Sequence, residues 1–316
     1  MWKNKISVII RHKDKESLKN SDGEIMKISE ILKKDVPSLS FEVFPPKTDS
    51  ALDSIRAATE EIASLSPAFM SVTYGAGGGT SKYTLQIAEN IEKRYGVTTV
   101  AHLTCVSSTR DTVRARIEDM KVAGIRNVMA LRGDIPQDMV GLDRTGWDYA
   151  HAVQLVRELK ESDGDFCIGG ACYPEVHPES KSAIEDLRYV KEKVDAGCDF
   201  LTTQMFFDNR LFYDFLDRAC GVGIDIPIIP GIMPITRANQ LERAIKLSGS
   251  YVPRDFLSLL EKYGADSDEF VNVGIDYAVN QIRDLFAHGV KNVHVYTMNK
   301  PYVARQILRQ LSDLLN

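Results

Sequence analysis

The sequence predicts an α/β fold of the (β/α)8 TIM barrel class, a single domain with extra helices before the last strand. From residue 38 onward, eight short apolar runs alternate with longer amphipathic runs. Several of the short runs are apolar along most of their length, as expected for parallel strands that are buried on both faces. No long linker interrupts the alternation, and eight consecutive β-then-α units are typical of a closed barrel.

The predicted elements follow in a regular order. Amphipathic stretches lie between the strands, for example at residues 50–65, 109–123, 181–196 and 209–220. Gly124, Gly197 and Gly289 come directly after helical stretches, as is usual at helix C-termini. The interval 235–291 has no strand pattern, and we expect it to hold two or three helices. The predicted strands are 39–44, 69–74, 98–105, 127–132, 166–172, 200–206, 227–232 and 292–296.

A doubly wound open sheet is the alternative fold. The glycine-rich segment GAGGG at residues 75–79 follows a strand and precedes a helix, as a dinucleotide-binding loop does. However, Thr80 stands where the G-x-G-x-x-G fingerprint requires its third glycine. The missing fingerprint favours the barrel.

Residues 1–25 differ from the rest and are predicted to be a loose N-terminal extension, with the barrel domain at 26–316. The extension is basic and lacks the pattern of a signal peptide. The segment MKISEILK, from Met26, is predicted to begin an amphipathic helix. One helix is expected after the eighth strand, with no regulatory domain following it.

Composition limits the possible partners. A formal net charge of -5 argues against a nucleic-acid surface, and no apolar run approaches the roughly 20 residues of a membrane span. The five cysteines form no C-x-x-C pair and are expected to be reduced and buried. We therefore expect a cytoplasmic protein that binds neither nucleic acid nor membrane.

The segment LSFEVFPP, at residues 39–46, places one carboxylate inside an apolar strand that a double proline ends. A buried carboxylate is costly unless it is paired or neutral. Glu42, delivered to the rim of a pocket, would have its pKa raised toward the range of a general acid. The alternative is that Glu42 lies on the polar face of a half-buried strand, and the segment alone leaves both possibilities open.

Active sites of TIM barrels lie at the C-terminal ends of the strands. Those ends carry many polar residues, but the spacing matches neither a metal-binding motif nor a nucleophile elbow. The set indicates a pocket for a large, polar ligand that contains rings. Its members are Glu42, Thr73, Tyr74, His102, Thr104, Arg132, Gly133, Asp134, Tyr173, His177, Gln204, Asn299 and Lys300.

Nine segments, in order, carry a family resemblance. The chain resembles the 5,10-methylenetetrahydrofolate reductases, specifically the flavin-containing catalytic barrel of the bacterial type, from about residue 38 to its C-terminus. The segments begin at residues 39, 71, 101, 130, 173, 193, 203, 229 and 296, and they read LSFEVFPP, SVTYGA, AHLTC, ALRGD, YPEVHPE, KVDAG, TQMFFD, IPGIMP and YTMN.

The resemblance implies reduction of 5,10-methylenetetrahydrofolate to 5-methyltetrahydrofolate through non-covalent FAD, with NADH or NADPH as co-substrate. The implied mechanism is a ping-pong hydride relay in which Glu42 is the general acid that protonates N10 of the folate. Asp134 is the second implied catalytic residue, because its carboxylate would stabilise the cationic iminium form of the substrate. The residues alone also allow Asp134 to be a helix cap or a turn residue.

The resemblance also implies the binding residues. Substrate contacts are implied for Asp134, Gln204, Gln240 and Lys300. The helical spacing of Asp186, Tyr189 and Lys193 allows one face to present all three, although an ordinary solvated face has the same spacing. Cofactor contacts are implied for Thr73, Tyr74, Ala76, His102, Arg132, Gly133, Asp134, Ala150, Tyr173, His177, Ser180, Asp186, Tyr189 and Lys193.

Two positions depart from the family pattern. Residues 241–247 contain no aromatic side chain, where some relatives stack a phenylalanine on the substrate. Lys300 stands where an arginine is usual, and a lysine lacks the two-pronged geometry that fits a carboxylate.

Two other functions remain open at this point. The chain could be a folate- and flavin-binding reductase subunit that takes electrons from a partner protein instead of a nicotinamide. It could also be a flavin-dependent barrel that oxidises an amino acid, although such a reaction needs no acid at Glu42. No metal is expected, and we expect a homo-oligomer, as is common among barrels of this family.

Overall fold

The computed structural model describes residues 25–46, 48–74, 81–135, 147–264 and 267–315. It contains a nine-stranded sheet in which every paired strand is parallel, in the order β7-β6-β5-β4-β3-β2-β1-β9-β8. The strands are β1 (Ser38–Val43), β2 (Met70–Val72), β3 (Thr99–Thr104), β4 (Asn127–Leu131), β5 (Cys167–Cys172), β6 (Phe200–Thr203), β7 (Ile228–Ile229), β8 (Gly231–Ile232) and β9 (Asn292–Tyr296).

The sheet closes at Pro230, the single residue between β7 and β8. Strand β7 pairs with β6 and strand β8 pairs with β9, so the two ends of the sheet meet at this proline. Proline has no N–H to donate, but its carbonyl oxygen still accepts from the His294 N–H at 2.9 Å. The predicted seventh strand at 227–232 is therefore two short strands, because the proline interrupts the ladder.

Closure confirms the predicted (β/α)8 barrel, and the open-sheet alternative is wrong. The helical stretches predicted at 50–65, 109–123, 181–196 and 209–220 are present, and their observed ends differ from the predicted ones by at most two residues. The α-helices of the described residues are α1 (Ile28–Ile31), α2 (Leu52–Ala63), α3 (Ser81–Tyr95), α4 (Arg110–Val122), α5 (Ala152–Glu161), α6 (Ala183–Asp195), α7 (Asn209–Gly221), α8 (Ala238–Ser248), α9 (Arg254–Tyr263), α10 (Asp268–Ala287) and α11 (Pro301–Gln310).

Three of these helices, α8, α9 and α10, lie before the last strand, as predicted for residues 235–291. Their apolar side chains form a cluster of their own with Phe207 and Ile235, which follow β6 and β8. The cluster attaches the added helices to the end of the barrel where the strands finish.

The alternation of β1 divides its side chains between two layers. Leu39, Phe41 and Val43 are buried in the large cluster that the sheet shares with the surrounding helices. Ser40 and Glu42 point the other way, toward the barrel interior, because successive side chains of a strand alternate. Strand β1 ends at Val43, shortly before Pro45 and Pro46, so Glu42 is its last side chain that points into the barrel.

Helix α1 covers the opposite end of the barrel. Ile28 and Ile31 pack in a cluster with Phe69, Val100 and other inward residues, and the Ile28 N–H donates to Asn127 Oδ1 at 2.8 Å. Asn127 begins β4, so this contact lies where the strands start. Helix α1 and the apolar side chains of this cluster thus close the end of the barrel where the strands begin. The opening of the barrel lies at the end where the strands finish.

Candidate active site

A cavity of about 560 Å³ opens where the strands end. This volume lies within the range of small-molecule and cofactor sites. It is lined by residues of six strands (β1, β3, β4, β5, β6 and β9), of the loops that follow β2 to β6, and of helices α5 and α6. The predicted site residues among its lining are Glu42, Thr73, Tyr74, His102, Thr104, Arg132, Gly133, Asp134, Tyr173, His177, Ser180, Asp186, Tyr189, Lys193 and Gln204.

Glu42 occupies the base of the cavity, between the neighbouring strands β2 and β9. It is paired in register with Ser71 on β2 and with Tyr296 on β9. The Ser71 hydroxyl donates to Glu42 Oε2 at 3.3 Å, and His102 Nε2 lies 3.7 Å from the same oxygen. The Glu42 side chain is 22% exposed, so it reaches the cavity while most of it is shielded.

Burial raises the pKa of Glu42 to about 7, against a smaller lowering by the Ser71 hydrogen bond. The cause is desolvation, which penalises the charged carboxylate. A carboxyl group with this pKa carries a proton for much of the time near neutral pH. It is therefore suited to donate a proton to a bound molecule.

His102 lies beside Glu42 on β3 and is 8% exposed. Burial lowers the pKa of His102 to about 4, so the imidazole is neutral near pH 7. Within the described part of the chain, its buried Nε2 has no hydrogen-bond partner. An unpaired nitrogen of this kind at a cavity wall is suited to a polar atom of a bound molecule.

The loop after β4 brings Arg132, Gly133 and Asp134 to the cavity. Gly133 has a φ of +88°, and a Cβ there would meet Thr104 and Val106 at 2.9 Å, so only glycine fits. Arg132 makes a two-pronged ion pair with Glu179, with N–O distances of 2.5 and 2.8 Å. The pair links the loops that follow β4 and β5.

Helix α6 presents the spaced trio Asp186, Tyr189 and Lys193 to the cavity. Asp186 is 7% exposed and accepts a hydrogen bond from Ser180 Oγ at 2.9 Å. Lys193 Nζ donates to the carbonyl oxygen of Ala171 on β5. The structure thus places this face against the barrel mouth rather than in bulk solvent.

Four predicted residues lie apart from the lining. Asn299 bonds the backbone of Phe44, accepting from its N–H and donating to its carbonyl oxygen, both at 2.9 Å. Ala150 is exposed next to His151, and its N–H donates to Gln154 Oε1 at 2.7 Å. Gln240 and Lys300 meet at Thr236, whose hydroxyl donates to Gln240 Oε1 at 3.0 Å and accepts from Lys300 Nζ at 2.8 Å. The remaining prediction, Ala76, falls outside the described residues.

Sequence reasoning missed several lining residues, including His151, Glu192, His294 and Tyr296. His294 and Tyr296 lie within β9, in an alternating N-V-H-V-Y run whose polar members point inward. The alternation is readable in the sequence, but His294 lies in the middle of the strand, where position alone does not mark a site residue. His151 caps α5, and its ring stacks on Tyr189 with centroids 6.0 Å apart.

The described residues set two further limits. Among them, no group of three or more His, Cys, Asp or Glu side chains is arranged to hold a metal ion. None of the helices in the described ranges is both long and apolar enough to cross a membrane. The cavity thus combines the raised-pKa carboxyl group of Glu42 with the neutral imidazoles of His102 and His294. Its other charged lining residues are Arg132, Lys193, Asp134, Glu179, Asp186 and Glu192.

Solved structures support the fold. The chain matches an uncharacterized protein from Clostridium thermocellum that binds two copies of 5-methyl-5,6,7,8-tetrahydrofolic acid, with a TM-score of 0.62 and 15% identity over 89% of this chain and 99% of that one. It also matches oxaloacetate acetylhydrolase in complex with oxalate, with a TM-score of 0.51 and 12% identity over 91% and 86% of the two chains. At these identities the likeness shows the fold alone.

Sequence comparisons are more specific. The chain is 38% identical to the 5,10-methylenetetrahydrofolate reductase of Pectobacterium carotovorum and 37% identical to that of Escherichia coli, in each case over 87% of this chain and 90% of the relative. It is 35% identical to methylenetetrahydrofolate reductase (NADH) 1 of Arabidopsis thaliana, over 90% of this chain and 50% of that protein. The family model for methylenetetrahydrofolate reductase matches residues 27–312. The chain therefore belongs to the methylenetetrahydrofolate reductase family.

Proposed function

We propose that the chain reduces 5,10-methylenetetrahydrofolate to 5-methyltetrahydrofolate, with non-covalent FAD and with NADH or NADPH as electron donor. The observation that carries the proposal is Glu42, a carboxyl group whose pKa burial raises to about 7 at the base of a cavity of about 560 Å³. Membership of the family supplies the substrate class. Folate reduction of this kind needs an acid at the ring nitrogen, and the raised pKa of Glu42 supports assigning it that role.

The cavity residues fit a flavin nucleotide. The buried, unpaired Nε2 of His102 can bond a polar ring atom, and Gly133 leaves a space beside the β4 loop that a Cβ would fill. Lys193 and Arg132 are the cations suited to a diphosphate. Bound FAD would supply the hydride chemistry, taking electrons from the nicotinamide and passing them to the folate.

Glu42 opens the five-membered ring of the folate. Its carboxyl proton moves to N10, the bond between N10 and the methylene carbon breaks, and the bonding electron pair stays on N10. The methylene carbon becomes an iminium with N5 and can then accept a hydride. General acid catalysis of this type contributes about 10²–10⁴-fold to the rate.

Asp134 and Gln204 complete the site in this proposal. The Asp134 carboxylate would stabilise the positive charge of the iminium. This electrostatic stabilisation is strongest where water is excluded. The Gln204 amide can donate and accept, which suits the edge of a pterin ring. Gln240 and Lys300, which meet at Thr236, would bind the substrate farther from the reacting atoms, with Lys300 attracting the carboxylates of the glutamate tail.

The test is an anaerobic double-mixing experiment on the purified, FAD-loaded chain, followed at the flavin absorption band. We expect bleaching by NADH or NADPH and recovery when methylenetetrahydrofolate is added. A flavin that neither nicotinamide bleaches, but that the folate reoxidises after chemical reduction, would instead support the reductase subunit that depends on a partner protein. Failure of the folate to reoxidise the flavin would overturn the proposed function.

A further inference from the structure

A buried chain of polar side chains extends from Glu42 into the barrel interior. Ser71 Oγ lies 3.3 Å from Glu42 Oε2 and 2.9 Å from His294 Nε2, and His294 Nδ1 lies 2.7 Å from Ser40 Oγ. Ser40, Ser71 and His294 are each at most 2% exposed. The chain therefore connects Glu42 with a histidine that is sequestered from solvent.

Hydrogen counting gives the chain a direction. Each serine hydroxyl has one hydrogen to donate, and a neutral imidazole has one N–H and one acceptor nitrogen. Ser40 Oγ lies closer to His294 Nδ1, at 2.7 Å, than to the carbonyl oxygen of Val293, at 3.4 Å. The Ser71 hydroxyl donates its single hydrogen to Glu42 Oε2, so His294 Nε2 is the donor to Ser71, and Nδ1 accepts from Ser40.

In this tautomer of His294, Ser71 keeps its own hydrogen for Glu42 Oε2. In the opposite tautomer, His294 Nδ1 would donate to Ser40, Ser40 would donate to Val293 at 3.4 Å, and the Ser71 hydrogen would turn to His294 Nε2 and away from Glu42. Because Oε2 accepts from Ser71, a proton on the Glu42 carboxyl is directed to Oε1. The described contacts of Glu42 with Ser71, His102 and His294 all involve Oε2, which leaves Oε1 for the cavity.

We propose that His294 is a positioning residue, which acts through Ser71 to place the transferable proton of Glu42 on Oε1, while Ser40 fixes the tautomer of His294. This proposal rests on the proposed function, because it assigns a task to side chains behind the acid of that reaction. It adds Ser40, Ser71 and His294 to the groups that the proton transfer needs.

The groups around Glu42 allow His294 to stay neutral. The titratable side chains that face Glu42 are His102 on β3, and His294 and Tyr296 on β9. Burial lowers the pKa of His294 to about 3, with a further lowering by His102, and burial raises the pKa of Tyr296 well above its usual value. A neutral His294 can donate to Ser71 without forming an ion pair that would strip the proton from Glu42.

The first measurement is the tautomer of His294, read from the side-chain nitrogen resonances of histidine-labelled protein with the His294 signals assigned by their loss in His294→Gln. We expect a neutral ring with hydrogen on Nε2 between about pH 5 and 8, the range in which a free histidine changes charge. In Ser40→Ala we expect the other tautomer to appear, because Nδ1 has lost its donor. Hydrogen on Nδ1 in the wild type would overturn the proposal.

The second measurement separates the two half-reactions. Ser71→Ala should slow reoxidation of the flavin by methylenetetrahydrofolate by about tenfold, as expected for one lost hydrogen bond, and leave reduction by the nicotinamide unchanged. His294→Leu should do the same. His294→Gln should recover most of the rate, because its amide nitrogen can donate to Ser71 near the position of Nε2.

Ser38→Ala is the matched control. Ser38 lies on the same strand and bonds Asn292 of β9 across the same strand pair, at 2.7 Å, away from Glu42. Its folate half-reaction should equal that of the wild type. Equal rates in Ser71→Ala and Ser38→Ala would overturn the role of His294 while leaving the proposed function intact, whereas a wild type that does not convert the folate would overturn the proposed function itself.

Discussion

At the scale of single residues, Glu42 shows how a strand interior can hold a functional carboxyl group. The sequence left open whether Glu42 lies at a pocket rim or on a solvated strand face. The structure places it on the inner face of β1 beside His102, with desolvation raising its pKa. A solvated face would leave the carboxylate hydrated and its pKa near the usual value, so the physical environment now distinguishes the two.

The raised pKa predicts how the folate half-reaction depends on pH. The acid must be protonated to act, and the pKa of Glu42 is about 7. The rate constant for flavin reoxidation by the folate should be constant below this value and fall about tenfold for each pH unit above it. Rapid-mixing traces at a series of pH values measure it.

The nicotinamide half-reaction provides the comparison at the same pH values. It requires no proton from Glu42, so its rate constant should not share the break near pH 7. A folate step whose rate is independent of pH through this region would contradict a titrating general acid.

Residue types at strand ends could be read from the sequence, but their partners could not. Arg132, Asp134 and Gln204 were found because active sites of barrels lie at those ends. His294 was missed because it lies in the middle of β9, and its link to Glu42 spans more than 250 residues of chain. Such a contact forms only because the sheet closes and brings the last strand beside the first. The sequence indicates closure only through its eight predicted strands.

At the scale of elements, the helices before the last strand are held by close backbone contact. Gly274 of α10 faces the chain that follows β8, and a Cβ at this position would overlap the carbonyl oxygen of Ile235. Backbone cannot move aside as a flexible side chain can. The three helices α8, α9 and α10 were expected from the pattern, but this contact required the packed structure.

Gly274→Ala should therefore destabilise the protein by about 1–3 kcal/mol, as overpacking in a tight interior does. Gly221→Ala is the control, because Gly221 ends helix α7 with no atom within 4 Å of the added Cβ. Alanine there should leave stability unchanged or raise it by up to about 1 kcal/mol. Denaturant unfolding of both variants measures the difference, and equal stability would show that α10 can shift away from the β8 loop.

The predicted seventh strand shows a feature that the hydrophobic pattern does not predict. Residues 227–232 have the apolar composition of one strand, yet Pro230 divides it into β7 and β8, each two residues long. Proline removes one ladder donor, and the two short strands pair with different neighbours. The composition predicted a strand, but the change of partner at the proline depends on the path of the closing sheet.

At the scale of the whole molecule, closure is what assembles the site. In a closed barrel, β1 has β2 on one side and β9 on the other, so Glu42 lies between Ser71 and Tyr296. An open sheet in chain order would separate the first and last strands and leave Glu42 without His294. The site therefore depends on the fold class. The β/α alternation of the sequence predicts the closed barrel, and the barrel in turn brings the residues of β1, β2 and β9 together.

The same closure separates two tasks in space. Helix α1 covers the end where the strands begin, and the cavity lies at the end where they finish. The buried chain from Ser40 to Glu42 runs inside the barrel between these ends. The cavity and the apolar layer around the sheet share side chains, because Tyr74 and Ala130 line the cavity and also pack in that layer.

The central claim, that Glu42 is the acid of a folate reductase, is tested most directly by following both half-reactions in Glu42→Gln. Glutamine keeps the shape of the side chain but has no acidic proton. We expect FAD content and reduction by the nicotinamide to match the wild type, and reoxidation by methylenetetrahydrofolate to slow by about 10²–10⁴-fold. Reoxidation at the wild-type rate, or loss of FAD from the variant, would contradict the assignment of Glu42 as the acid.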